Sequence, residues 1–213
     1  MALRNDRAHG RNVIRQAFLF ASGALHVAND PVIDCAIGDL AATLDAPYAG
    51  VAMLDRTVAH SLSMIGLAAE QAGDLRVFWS DAVMHAQPVN FDDLSAHPAY
   101  DTHRAVRCHP AVRAFCALPI TLAYPVPIGA IFVADMRPRR AFLQDARPHL
   151  DRALTVVSRE LSRPRHVYRA GHASIDRIID LIRDALSVGN DALVRDLDEI
   201  LRDVEATCKT PGG

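Results

Sequence analysis

Phe115-Cys116-Ala117-Leu118-Pro119-Ile120, then Ile128-Gly129-Ala130-Ile131-Phe132-Val133-Ala134-Asp135, then Arg137-Pro138-Arg139-Arg140-Ala141-Phe142: this stretch decides the fold. The first two runs, Phe115–Leu122 and Ile128–Asp135, are apolar at both odd and even positions. That pattern suits strands covered on both faces. Tyr124-Pro125-Val126-Pro127 connects them, and Arg137-Pro138-Arg139 makes a turn. From Asp145, apolar residues recur at Leu150, Ala153, Leu154, Val157 and Leu161, which predicts an amphipathic helix to Leu161.

Upstream, Tyr48–Asp55 is apolar on both alternating faces and predicts another central strand. Asp55-Arg56-Thr57 turns the chain into Val58–Ile65, where Val58, Leu62 and Met64 alternate with Ser61 and Ser63. This predicts a half-exposed hairpin partner. Before the hairpin, Ile33, Ala36, Ile37, Leu40 and Leu44 line one face of a helix. Asp30 is placed to cap it and Pro31 suits its first position. Between the strand pairs, Phe78–Ala86 reads as a helix and Pro88–Asp92 as a short strand. Asp93–Pro110 reads as a long polar, His-rich excursion with one helix. Such loops over a rigid sheet tend to carry binding residues. The order of elements makes an α+β sandwich.

At the N-terminus, Ile14, Phe18, Ala21 and Leu25 predict a helix over 11–27. After Arg163-Pro164-Arg165, Ile175, Ile179, Ile182 and Leu186 are spaced 4, 3, 4. Leu193, Leu197, Ile200 and Val204 are spaced similarly. Two seams of two heptads, broken at Gly189-Asn190-Asp191, predict a helical hairpin or coiled-coil extension that needs a partner surface. A homodimer through these helices is expected. The domain plan is an N-terminal helix (1–30), the sandwich (31–161), amphipathic helices (162–208) and a disordered tail (209–213).

Half of the 213 residues are apolar but only 6% are aromatic, so a mainly aliphatic core is expected. The net charge of -2 gives no field for nucleic acid or acidic lipid. The N-terminus lacks a signal peptide, and no apolar run approaches the roughly 18 residues of a membrane span. Cys35, Cys108, Cys116 and Cys208 form no Cys-x-x-Cys pair, and reduced thiols in the cytoplasm are expected.

Five segments in order resemble the short bacterial GAF subtype: Val32–Asp55, Gln87–Leu94, Phe115–Ile120, Ile128–Asp135, and Arg137–Phe142 with the helix after it. The resemblance covers about Pro31–Leu161. It implies an antiparallel sheet of about six strands, one face packed on the first and last helices. The other face, with the central helix and long loop, would form a ligand pocket. Family members bind cyclic nucleotides, bilins, haem or small metabolites, and many signal along terminal helices to an enzyme domain. The expectation is a sensory protein that binds a small molecule and signals to a partner protein. The alternatives are a dimerisation or interaction module with a self-filled pocket, and a free methionine sulfoxide reductase. No cyclase, kinase or other catalytic motif is present, so no enzyme activity is expected.

The residues proposed to bind ligand are Trp79, His103, Arg107, Cys108, His109 and Phe115. Trp79 reads equally as pocket wall or core aromatic. Phe115 reads more readily as core. Arg104, Arg107 and Arg113 suit an anion, although a solvated arginine face is the simpler reading. Cys108-His109 matches the dipeptide at which bilin-binding members attach chromophore, but the Asp-Ile-Pro segment is missing. Arg107 and His109 beside Cys108 are the physical support for a reactive thiol. Cys116, inside an apolar strand, reads as a small buried residue. The pocket cysteines of the sulfoxide reductases sit in a Gly-rich context that this chain lacks. His85, His97, His103 and His109 lack metal-ligand spacing, so they read as loop histidines and no metal is expected. Bilin or haem is not favoured. His172 reads as a residue near the helix cap at Ser174 rather than a phosphoacceptor.

Overall fold

The computed structural model describes residues 29–55, 58–108, 111–122 and 126–163, with positions 12, 13, 15, 16, 19, 24 and 27. Of the helix expected over 11–27, positions 12, 13, 15, 16 and 19 are helical. The helices expected over 162–208 and the tail lie outside the described residues. Residues 25–163 form one compact unit, and residues 1–24 with 164–213 form another. The sheet and the helices packed on it belong to the unit 25–163.

Helix α1 (Pro31–Thr43) begins as the sequence predicts: Asp30 Oδ1 accepts from the amides of Val32 at 2.9 Å and Ile33 at 3.3 Å, with Pro31 just inside the helix. Strands β1 (Tyr48–Asp55) and β2 (Val58–Ile65) form the hairpin. A bulge between Val51 and Ala52 breaks their register. Helices α2 (Ala69–Asp74) and α3 (Arg76–His85) follow, then β3 (Val89–Phe91), a 3-10 turn (Leu94–Ala96) and the single-turn helix α4 (Arg104–Arg107). Strands β4 (Ala114–Ile120) and β5 (Gly129–Asp135) precede the long helix α5 (Phe142–Leu161).

The sheet order is β2-β1-β5-β4-β3, antiparallel throughout. Five strands are present among the described residues where about six were expected. Pro119 lies beyond the short β3 ladder, which pairs only Phe115–Ala117 of β4, so its missing amide falls where β4 has a single strand partner. Gly129 starts β5 because the backbones crowd there: a Cβ would lie 2.3 Å from the Ala52 carbonyl oxygen.

The two faces of the sheet differ. Helices α1 and α5 pack on each other and on one face. Tyr48, Ala52, Leu54, Phe115, Ala117, Ala130, Phe132 and Ala134 point to the other, against Leu75, Phe78, Trp79, Ala82 and Val83 of the α2–α3 region and Leu94, Ala105 and Val106 of the loop. The mainly aliphatic core expected from composition holds for the first face. The second is aromatic, because the few aromatics converge there.

Helix α5 starts three residues before the expected Asp145 and continues through Pro148. Its N-cap, Ala141, is left-handed (φ 56°) and offers no side-chain acceptor. Ala86, exposed at the C-cap of α3, is left-handed too (φ 53°). That backbone costs an L-residue about 1 kcal/mol or more, and glycine far less. Ala86→Gly is therefore expected to stabilise the protein by about 0.5–1 kcal/mol, visible as a higher urea midpoint at unchanged slope.

Candidate functional site

The second sheet face, where a ligand was expected, carries a cluster of packed side chains. Phe78 stands at the centre. Its ring meets Tyr100 at 5.1 Å between centroids, His103 at 5.3 Å, Phe115 at 5.5 Å and Phe91 at 6.2 Å. Phe115 stacks on Phe132 at 5.5 Å. These are separations of rings in direct contact. Over them lies the segment 93–108. Asp93 caps the 3-10 turn through Ser95, the Leu94 amide donates to the Arg113 carbonyl, and the Tyr100 hydroxyl donates to Asp81 at 3.0 Å. Burial, with the Asp81 hydrogen bond, pushes the Tyr100 hydroxyl above its ordinary pKa.

Trp79 and Phe115 are fully buried in this core, 1% and 0% exposed. Trp79 leaves almost no surface to solvent. His103 caps α4, its Nδ1 accepting from the Ala105 amide. Arg107 is exposed and its Nε donates to the Asp101 carbonyl. Cys108 is exposed at the end of α4. His109 lies outside the described residues. Among the described residues of this set, His103 and Phe115 meet a common ring, Phe78. Arg104 faces Asp74 at 3.4 Å. Cys116 is buried, and desolvation pushes its thiol far above the ordinary cysteine range, which keeps it protonated and unreactive. Among the described residues no group of three or more His, Cys, Asp or Glu side chains is placed to hold a metal ion.

A second cluster, unread in the sequence, ties the strand ends to the helices. Asp92 Oδ2 accepts from the Ala141 amide at 3.1 Å and Oδ1 from Phe142 at 3.3 Å. Asn90 Oδ1 accepts from Leu143 at 3.0 Å, while its Nδ2 donates to Asp92 at 2.8 Å. Residues from β3 and its end thus supply the cap that Ala141 cannot. The Asn90 side chain, then the Ala141 amide, holds the Asp92 carboxyl below the usual carboxylate range. A carboxyl so lowered stabilises the fold above its unfolded pKa of about 3.9, and the contribution disappears as pH falls through the folded value. Asp92→Ala is expected to cost about 1–2 kcal/mol at neutral pH. The gap from wild type should shrink on acidification below about pH 4, when urea melts are compared across pH.

Arg139 completes the cluster. Its Nε donates to Asp135 at 2.6 Å, and its terminal nitrogens reach the Leu44 carbonyl at 2.7 Å and the Asp45 carbonyl at the end of α1. The guanidinium also lies 5.0 Å from the Phe142 ring centroid. Beside it opens a shallow concavity of about 780 Å³, lined by Ala42, Pro47, Ile65, Met136 and Pro138 among others.

Solved structures similar to this chain include the GAF domain of a phosphoenolpyruvate-protein phosphotransferase from Acinetobacter, with 16% identity, TM-score 0.47, and coverage of 82% of this chain and 95% of that one. Another is a GAF domain/HD domain protein from Geobacter sulfurreducens, with 19% identity, TM-score 0.43, and coverage of 64% and 96%. A free methionine-R-sulfoxide reductase from Neisseria meningitidis, solved with its substrate, is similar at 16% identity, TM-score 0.49, and coverage of 70% and 90%. No family model and no curated protein matches the sequence. Among the described residues no helix is long and apolar enough to cross a membrane.

Proposed function

We propose that the chain is a regulatory module that acts through contact with a partner protein, with the sheet face behind its long loop occupied by its own side chains. The observation that carries this is Phe78, in ring contact with Tyr100, His103, Phe115 and Phe91. Rings packed against one another leave no place between them for a ligand of metabolite size without rearrangement. Dimerisation through the helices expected over 162–208 belongs to the same proposal.

The competing reading is a small-molecule sensor using Trp79, His103, Arg107, Cys108, His109 and Phe115. Its support is that His103 and Phe115 converge on one ring beneath a loop. Native mass spectrometry of the purified full chain separates the two. A dimer of bare chains is the expected result. An added small-molecule mass, or a visible absorption band from haem or bilin, would select the sensor. Sulfoxide reductase chemistry is disfavoured by the inert Cys116. Turnover of free methionine sulfoxide that is lost in Cys108→Ala would restore it.

A further inference from the structure

The two edges of the sheet are built differently. Strand β3 is three residues long, follows Pro88, and has its Asn90 side chain engaged at the start of α5. Strand β2 is eight residues long, and Val58–Ile65 contains no Lys, Arg, Asp, Glu or Pro, the residues that commonly keep an edge from pairing. Among the described residues no strand pairs with the outer side of β2. Its one interruption is the bulge, where Leu62 has no partner between Ser61, opposite Ala52, and Ser63, opposite Val51. The bulge borders a concavity of about 390 Å³ that runs along Ser61–Ile65 and reaches Asn29 and Asp34 at the start of α1. Two polar groups there lack partners. Ser63 is 5% exposed, and its Oγ is buried without a hydrogen bond. An incoming group gains there a hydrogen bond that the free protein does not make. Asp34 is exposed, and among the described residues no hydrogen bond or ion pair reaches its carboxylate.

We propose that β2 receives an extended segment of a partner protein as an added strand, with a basic side chain of that segment reaching Asp34. This rests on the reading of the chain as a module that acts by contact, and it names the surface. Backbone pairing with an edge supplies affinity, and alternate side chains supply specificity. Ser63 and Met64 are consecutive in the strand and face opposite sides. On the Ser63 side the charge to be met is Asp34, which calls for Lys or Arg. On the Met64 side, Ala59 and Met64 are partly buried against the aromatic cluster and call for an apolar residue. The segment therefore alternates basic and apolar residues. A second copy of the chain is the poorer fit, because its own β2 brings no Lys or Arg to Asp34.

The test is a titration of the nitrogen-15-labelled full chain with acetyl-Lys-Val-Lys-Val-Lys-amide, and with its counterpart in which Glu replaces each Lys. The lysine peptide is expected to shift the amides of Ser61, Ser63 and Met64 saturably, with Ile131 of the central strand β5 unmoved. The glutamate peptide is expected to bind at least about tenfold more weakly. Asp34→Asn should weaken the lysine peptide by about tenfold, the scale of a hydrogen bond to a charged group. Ser63→Ala should weaken it too, yet leave the urea midpoint of the free protein unchanged or raised, because the hydroxyl has no partner to lose. A serine with a purely structural role would lower the midpoint and leave binding alone. The proposal is overturned by an absence of shifts on β2 or by equal binding of the two peptides. It is also overturned if the same shifts arise on concentrating the chain alone, the mark of a second copy. Wild type with the two peptides decides the matter even if a variant does not fold. The two readings fail separately: a silent β2 leaves the packed aromatic face as it is, and a small-molecule mass on the purified chain overturns that face without moving a β2 amide.

Discussion

Arg139→Ala is expected to destabilise the protein by about 3 kcal/mol, a large effect for a side chain in a turn. The reason lies in what would be stranded. Asp135 at the end of β5 is nearly buried (7% side-chain exposure), and Arg139 is its ion-pair partner. The same guanidinium satisfies the Leu44 and Asp45 carbonyls after α1, groups that α1 cannot bond internally. Removing it leaves the buried Asp135 carboxylate without its cation, with only the Arg137 amide still donating to Oδ1, takes the donor from the Leu44 and Asp45 carbonyls, and removes the cation from over Phe142. Arg139→Lys retains charge but not the planar fork, so it should recover only part of the loss. A thermodynamic cycle checks the assignment. Asp135→Ala in the Arg139→Ala background should cost far less than Asp135→Ala alone, because the carboxylate would by then be a liability. Additive losses would mean that the pair is not the source of the effect.

Neither Arg139 nor Asp92 was legible as a structural anchor in the sequence, and the reason is distance along the chain. Arg137-Pro138-Arg139 announces a turn through proline's fixed φ, a local property. Arg139's carbonyl partners lie more than 90 positions away, and Asp92 caps amides about 50 positions away. No periodicity encodes such pairings. The start of α5 was misplaced for the same reason: Ala141 is no N-cap by itself, and the cap comes from β3 and its end. What the sequence did reveal was governed by local chemistry. Strands β1 and β2 and the Asp30-Pro31 cap follow from alternation and from the first free amides of a helix. The aliphatic expectation missed the aromatic face because composition counts residues without placing them. Phe78, Phe91, Phe115 and Phe132 are scattered over 55 positions and meet only once β3, β4 and β5 align. The proposed ligand residues carry no local mark of their role for a related reason: aromatic and basic residues near a loop look alike whether they line a pocket or plug one.

Phe78→Ala turns that ambiguity into a measurement. Phe78 is fully buried with four rings against it, so truncation removes the centre of the cluster. The expected cost is about 3–5 kcal/mol, the lost transfer of the ring plus the cavity left behind. If the face is filled as the rings indicate, the vacancy should behave as an apolar cavity. Benzene or indole should then raise the variant's melting temperature in a concentration-dependent way and leave wild type unmoved. Stabilisation of wild type by the same probes would show that space already exists beside Phe78, and would return the face to the sensor reading. A cost below about 1 kcal/mol would mean that the ring is not tightly packed, since substitutions that small are typical of surfaces. The plug and the pocket thus predict opposite responses to one small apolar molecule, and the single ring at position 78 separates them.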